Sequence, residues 1–352
     1  MFITGLGTAA PSNRYSQANC WTAFQAAPQF AQLDRRARAI LQRVLMHDNG
    51  IEQRALALDS IADAFEIGPD ILHERFARHA PALAAEAARN ALREARVGAH
   101  DIDAVVISTC TGYLCPGLTS YVGEMLGLKA DVLALDLVGQ GCGAAIPNLR
   151  TADALLRAGD CRKVLSICVE ICSAAFYLDN DPGVLISACL FGDGAGAAVL
   201  DAEPAPGYRR IEWRIAHSLH DPAARDTLRF EHKHGLLRNI LKPEVPQLVA
   251  THASTVLNEV LHRQGVARQE IATWIWHGGG RKVIEALRRE IGLSAADVEW
   301  TSQVLREYGN ISSPSVYFAL QAALAGNAPG GWWWMSSFGA GFSCHGALLK
   351  VA

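Results

Sequence analysis

One cysteine of this chain stands in a collar of small residues, Gly139-Gln-Gly-Cys142-Gly-Ala-Ala145. An apolar strand-like run, Asp131 to Val138, precedes it, and a helical run, Ala144 to Ala158, follows. A thiol at the first turn of a buried helix faces the positive end of the helix dipole, which favours the thiolate and makes a nucleophile. The expected chemistry is therefore nucleophilic attack by Cys142. The other cysteines, 20, 110, 115, 161, 168, 172, 189 and 344, mostly lie inside apolar runs. An odd count and no Cys-x-x-Cys pair argue for free thiols in a reducing compartment, and against a disulfide framework or a zinc site.

The elements that must hold Cys142 in place occur twice. Ala84 to Thr109 reads as an alanine-rich helix, a turn at Val97-Gly-Ala-His100 and a buried strand Ala104–Thr109. Thr251 to His277 repeats that order, and in this register Ile102 falls on Ile271, Val106 on Ile275 and Ser108 on His277. Further on, Cys142 leads a helix ending at Ala158-Gly159, with a strand from Val164. Asn310 leads one ending at Ala325-Gly326, with a strand from Trp332. Each half closes on a glycine-rich turn feeding a strand, at Phe191-Gly-Asp-Gly and at Phe338-Gly-Ala-Gly. Alternating helices and apolar strands predict an α/β fold. Two such halves packed together give five layers, α-β-α-β-α, with the helices led by Cys142 and Asn310 at the centre. The halves are read as residues 1–203 and 204–352, with Pro204 to Gly235 as linker and start of the second half.

Composition excludes several classes. With 352 residues, 50% of them apolar, the chain has ample material for a large core. A net charge of -3 offers no basic field for nucleic acid. No run of about 18 uncharged apolar residues would span a bilayer. The start Met-Phe-Ile-Thr-Gly-Leu-Gly lacks the basic and cleavage regions of a signal peptide, so the expected location is the cytoplasm. Gly192-Asp-Gly-Ala-Gly lacks the spacing of a dinucleotide site, so neither metal, flavin nor nicotinamide is expected.

Three segments together carry a family resemblance: Gly141-Cys142-Gly143, Trp276-His277-Gly-Gly-Gly-Arg281-Lys282 and Glu307-Tyr-Gly-Asn310-Ile-Ser-Ser313. They resemble the Cys/His/Asn triad of the thiolase-fold condensing enzymes. More narrowly, with Phe191-Gly-Asp-Gly, they resemble type III polyketide synthases of the chalcone and stilbene synthase kind. The resemblance implies that Cys142 carries the acyl group, and that His277 pairs with its thiolate as imidazolium. His277 and Asn310 then hold the enolate formed when a malonyl thioester loses carbon dioxide, since neutral donors stabilise that oxygen without quenching the carbanion. It further implies Phe191 as a gatekeeper, and Cys110, Cys115, Cys172, Ala175, Ser312, Phe338 and Gly339 as lining of the acyl cavity or its oxyanion turn. Acyl-CoA and malonyl-CoA are the implied substrates, without a cofactor, and a homodimer is the implied assembly.

Departures from the plant pattern bear on the substrate. Arg238 stands where the plant enzymes carry a second gatekeeper phenylalanine, and only Arg43 remains of the basic residues that meet CoA phosphates. Arg35, Arg36 or Arg38 would take that role, or an acyl carrier protein would deliver the acyl group. Small side chains at Ala175 and Ser312 leave volume for a fatty acyl starter and a pyrone or resorcinol product. The alternatives are a single-condensation ketosynthase of the ketoacyl-ACP synthase III type, one joining two acyl chains, or a partner subunit without catalysis.

Overall fold

A computed structural model describes residues 1–205 and 209–352. Nine strands form one mixed sheet in the order Ile271–Trp276, Gly331–Gly339, Ser343–Val351, Ile211–His220, Phe2–Ala9, Gly194–Asp201, Lys163–Glu170, Ala104–Thr109, Leu133–Val138. The two halves meet where Phe2 and Ile3 pair with Glu212 and Ile211, only two residue pairs, so the sheet folds there into two faces. Between the faces lie the helices Ala145–Ala158 and Ser315–Ala325, which pack against strands of both halves. Their shared core joins Ile146, Leu149, Tyr317 and Leu320 to Ala198 and Ala347.

The outer layers follow from composition. The helix Pro69–Ala95 sets an alanine face, Ala84, Ala87, Ala88 and Ala91, against the first half's strands. Small side chains let it approach closely over the apolar strands Ala104–Thr109 and Gly194–Asp201. Val245–Gln264 and Arg281–Ile291 cover the second half through Val256, Leu257, Ile284 and Leu287. This is the five-layer α/β arrangement of the thiolase-like fold.

The duplication is less regular than the sequence suggests. The strand before Cys142, Leu133–Val138, is an exposed sheet edge, whereas Asn310 is preceded by a helix, Glu299–Tyr308. The ladders pair Ser108 with Cys168 and Trp276 with Ser336. Matching Cys142 to Asn310 matches these pairs too, so His277 falls on Thr109 and not on Ser108. Most of the expected linker is structured: Ile211–His220 is a central strand, and Leu228–Lys233 pairs with Leu236–Leu241 as a hairpin. Its Pro206-Gly207 break lies outside the described residues.

Candidate active site

Cys142 sits in a single 3-10 turn, Gly141–Gly143, and the α-helix begins only at Ala145. Gly141 has φ +55°, a left-handed conformation that glycine adopts without penalty. The second half's strand presses on this turn. A Cβ at Gly339 would lie 2.4 Å from the Gly143 nitrogen and 2.5 Å from the Gln140 oxygen, so only glycine fits there. Ser337 Oγ donates to the Gly143 carbonyl at 2.8 Å and fixes the contact.

His277 follows the parallel strand Ile271–Trp276, whose last residue is bracketed by Thr301 Oγ1 at 3.1 Å from both its N–H and its carbonyl. Its ring lies edge-on to Phe338, with centroids 5.2 Å apart, and its Nδ1 is 2.6 Å from Ser315 Oγ. Nε2 is thus left for the site. Asn310 Oδ1 accepts the Ser312 N–H at 2.9 Å, which assigns the other end of the amide as donor. That Nδ2 reaches the Gly279 carbonyl at 3.2 Å and keeps a second N–H free.

Ser312 joins these parts. Held at φ +57°, it donates from Oγ to Cys142 Sγ at 3.1 Å while its own N–H is on Asn310. The nucleophile, the amide and, through Gly279 and Phe338, the imidazole therefore meet at one seam between the halves. A mainly apolar cavity opens from Cys142 and Ser312. His277 and Asn310 are buried behind that end and do not line it.

Burial acts on both the nucleophile and the histidine. Burial pushes the Cys142 thiol up to about 12, opposed by Ser312's hydrogen bond and reinforced by the charge of Glu170. Burial also lowers His277 to about 4. Desolvation thus opposes charging either group, against the short turn's dipole, which favours the thiolate.

The remaining positions divide. Cys110, Cys172, Ala175, Phe191 and Ser312 line the cavity. Phe338 and Gly339 do not; they back His277 and the Cys142 turn. Cys115 is exposed and lies outside the cavity. Arg238 is also absent from the lining. Its guanidinium turns to Asp179 (2.8 Å), Glu231 (3.0 Å) and Asp181 (3.4 Å), because three carboxylates outweigh an apolar chamber for a charged group. The hairpin instead offers Leu228, Arg229, Phe230 and Asn239.

Sequence reasoning missed Glu170, which is fully buried beside the thiol. It accepts from Cys110 N–H (3.0 Å), Thr111 Oγ1 (2.9 Å) and Ser313 Oγ (2.8 Å), and burial raises its pKa. A lone acid ending the apolar strand Lys163–Glu170 was the available signal. Arg54, which also lines the cavity, had no comparable signature.

The model for the N-terminal domain of chalcone and stilbene synthases matches residues 2–204, and that for their C-terminal domain matches residues 226–351. The chain belongs to the chalcone and stilbene synthase family. It is a type III polyketide synthase, a condensing acyltransferase. A 3,5-dihydroxyphenylacetyl-CoA synthase of Streptomyces toyocaensis is 31% identical, covering 99% of this chain and 89% of that protein. A Mycobacterium tuberculosis protein named as an alpha-pyrone synthesis polyketide synthase is 29% identical over 91% of this chain and 82% of its own. Among solved structures, PKS-I of the brown alga Ectocarpus siliculosus superposes with a TM-score of 0.90 at 26% identity, covering 99% of this chain and 98% of that one. No helix among the described residues is long and apolar enough to cross a membrane.

Proposed function

We propose that this synthase loads a fatty acyl group from its CoA thioester onto Cys142, extends it with malonyl-CoA, and releases a cyclised pyrone or resorcinol-type product. The observation that carries this is Ser312, which ties the thiol and the Asn310 amide together at the closed end of a mainly apolar cavity.

Neutral His277 takes the Cys142 proton as the sulfur attacks the thioester carbonyl, and returns it to the departing CoA thiolate. In the next step the bond between the malonyl methylene and its carboxylate breaks. Carbon dioxide leaves, and the electron pair passes to an enolate whose oxygen is held by Asn310 Nδ2–H and His277 Nε2–H. The enolate carbon bonds to the acyl carbon on Cys142, and the Cys142 sulfur is expelled. Phe24, Phe65 and Phe176, with ring centroids 5.1 to 6.2 Å apart, form an aromatic corner of the cavity that suits an alkyl chain.

The assembly proposed is a homodimer through the exposed edge Leu133–Val138, with Leu133, Val138 and Tyr113 uncovered, a face that water disfavours. The nine free cysteines fit a reducing compartment. CoA, not a carrier protein, is the proposed donor. Product masses from purified enzyme with malonyl-CoA and acyl-CoA starters of rising length test the reading. Triketide or tetraketide lactones from long starters are expected, and none from Cys142→Ala. A single-condensation β-ketoacyl product, or a preference confined to acetyl to butyryl starters, overturns it.

A further inference from the structure

Arg54 is 95% buried by its 5% exposure, and it lines the acyl cavity. It is the middle residue of the short strand Gln53–Ala55, and its side chain stands against Gly309, next to Asn310. One guanidinium nitrogen, Nη1, donates to the carbonyls of Ala188 (2.8 Å) and Phe191 (3.1 Å), at the C-terminal end of the helix Pro182–Leu190. Those carbonyls occupy Nη1 alone. Nε is buried without a partner.

Among the described residues no carboxylate stands within ion-pair distance of Arg54. The contrast is close at hand. Arg229, the other arginine of the lining, is held by Asp226 at 2.8 Å and Glu231 at 3.3 Å. A buried cation with only a helix end as counter-charge is costly, and a buried N–H with no acceptor adds to that cost. Among the described residues Nη2 makes no hydrogen bond, and a guanidinium N–H donates strongly to a carboxylate oxygen.

The structure assigns Arg54 as the residue that binds the carboxylate of the malonyl extender. This rests on the reading of the cavity as the chamber of a malonyl-extending synthase. Within that reaction the malonyl carboxylate is the one anion at an acyl end. A fatty acyl starter has none, and both thioesters carry the same CoA phosphates at the far end of the pantetheine arm. Arg54 holds the carboxylate while the thioester oxygen faces Asn310 and His277. When the carbon–carbon bond breaks, the electron pair moves to the enolate and neutral carbon dioxide leaves the guanidinium. Arg54 holds the carboxylate from binding into the transition state, where much of its charge remains, so the contact is uniform binding and appears in KM, not in kcat.

The test uses the full-length enzyme with hexanoyl-CoA and malonyl-CoA. Arg54→Met is expected to raise the malonyl-CoA KM about tenfold to a hundredfold, the worth of a charge-assisted hydrogen bond pair, with kcat within about threefold of the wild type. Acylation of Cys142 by hexanoyl-CoA, read by intact-protein mass, persists, and Arg54→Lys gives an intermediate KM. An unchanged malonyl-CoA KM, or equal losses in loading and extension, overturns the assignment and leaves Arg54 as a cap of the Phe191 helix. Should both variants fail to fold, Cys142→Ala protein with Arg54 intact decides. It is expected to bind malonyl-CoA about tenfold more tightly than the uncharged near-isostere butyryl-CoA in rapid-mixing fluorescence, and equal affinities overturn the proposal. Wild-type enzyme that incorporates no malonyl unit refutes instead the reading on which the inference rests.

Discussion

The two halves bring equivalent helix starts to one seam, yet they equip them oppositely. In the first half the residue is a thiol on a glycine turn, bordered by a buried carboxyl, Glu170, and a strand left open at the sheet edge. In the second it is an amide, Asn310, preceded by a helix and backed by a histidine whose ring meets Phe338 and Ser315. The difference assigns electron donation to one copy and charge acceptance to the other. The crossing residue is Ser312, which belongs to the second half and donates to the thiol of the first.

The sharpest break of that division is Asn310→Ala. If the amide serves the enolate and not the thiol, condensation falls about 10²- to 10³-fold, as for the loss of one oxyanion donor. Hexanoyl transfer to Cys142, measured by intact-protein mass in the absence of malonyl-CoA, stays within a few-fold. Parallel collapse of loading and condensation would show that Asn310 shapes the nucleophile's turn instead.

Titration separates the halves next. His277 and His345, both in the second half, are lowered to about 4 by burial. Each is neutral when folded and takes a proton more readily when unfolded. Their contribution to stability is complete above pH 6.5, the ordinary histidine value, and is lost as pH falls toward 4, at about 3 kcal/mol for each. The thiols act in the other direction, three in the first half and one in the second. Burial pushes Cys142, Cys168, Cys189 and Cys344 up to about 12, so unfolding becomes easier as pH rises from 9. Chemical denaturation from pH 4 to 10 is expected to give a dome whose acid limb flattens in His345→Phe. An acid limb indifferent to that change would mean that carboxylates control it. The same thiol shift makes alkylation of Cys142 by iodoacetamide climb about tenfold per pH unit from 7 to 10.

What was legible in the sequence follows the same line. Cys142, His277 and Asn310 announce themselves because a glycine collar, a strand end and a helix start are local patterns, and the five layers follow from helices and strands repeating in order. Charge and contact are not local. The dipole argument favours a thiolate at Cys142, but it omits the desolvation that the folded seam imposes from both halves. Arg238 occupies a cavity position by alignment, yet Asp179, Asp181 and Glu231, from two separate segments, turn it away. Glu170 ends a strand that reads as pure core, and only the fold places Thr111, Ser312 and Ser313 around it.

The smallest expected effect examines how the second half aims its histidine. Ser315 opens the helix after Asn310, and its Oγ lies 2.6 Å from His277 Nδ1. Five residues beyond Cys142, as Ser315 is five beyond Asn310, stands Pro147, which has no hydroxyl, so this device exists only in the copy that carries the imidazole. The Ser315 hydroxyl can accept Nδ1–H while Nε2 takes the Cys142 proton, and can donate to Nδ1 when Nε2 carries the proton toward an enolate oxygen. Ser315→Ala removes a single hydrogen bond worth about 1 kcal/mol and is expected to slow condensation about threefold to tenfold. Because the same ring takes the Cys142 proton during loading, that step slows alongside, and Ser315→Thr restores most of both rates. Full activity in Ser315→Ala would mean that Phe338, packed on the ring, and Gly279, over Nε2, suffice to hold His277 in register.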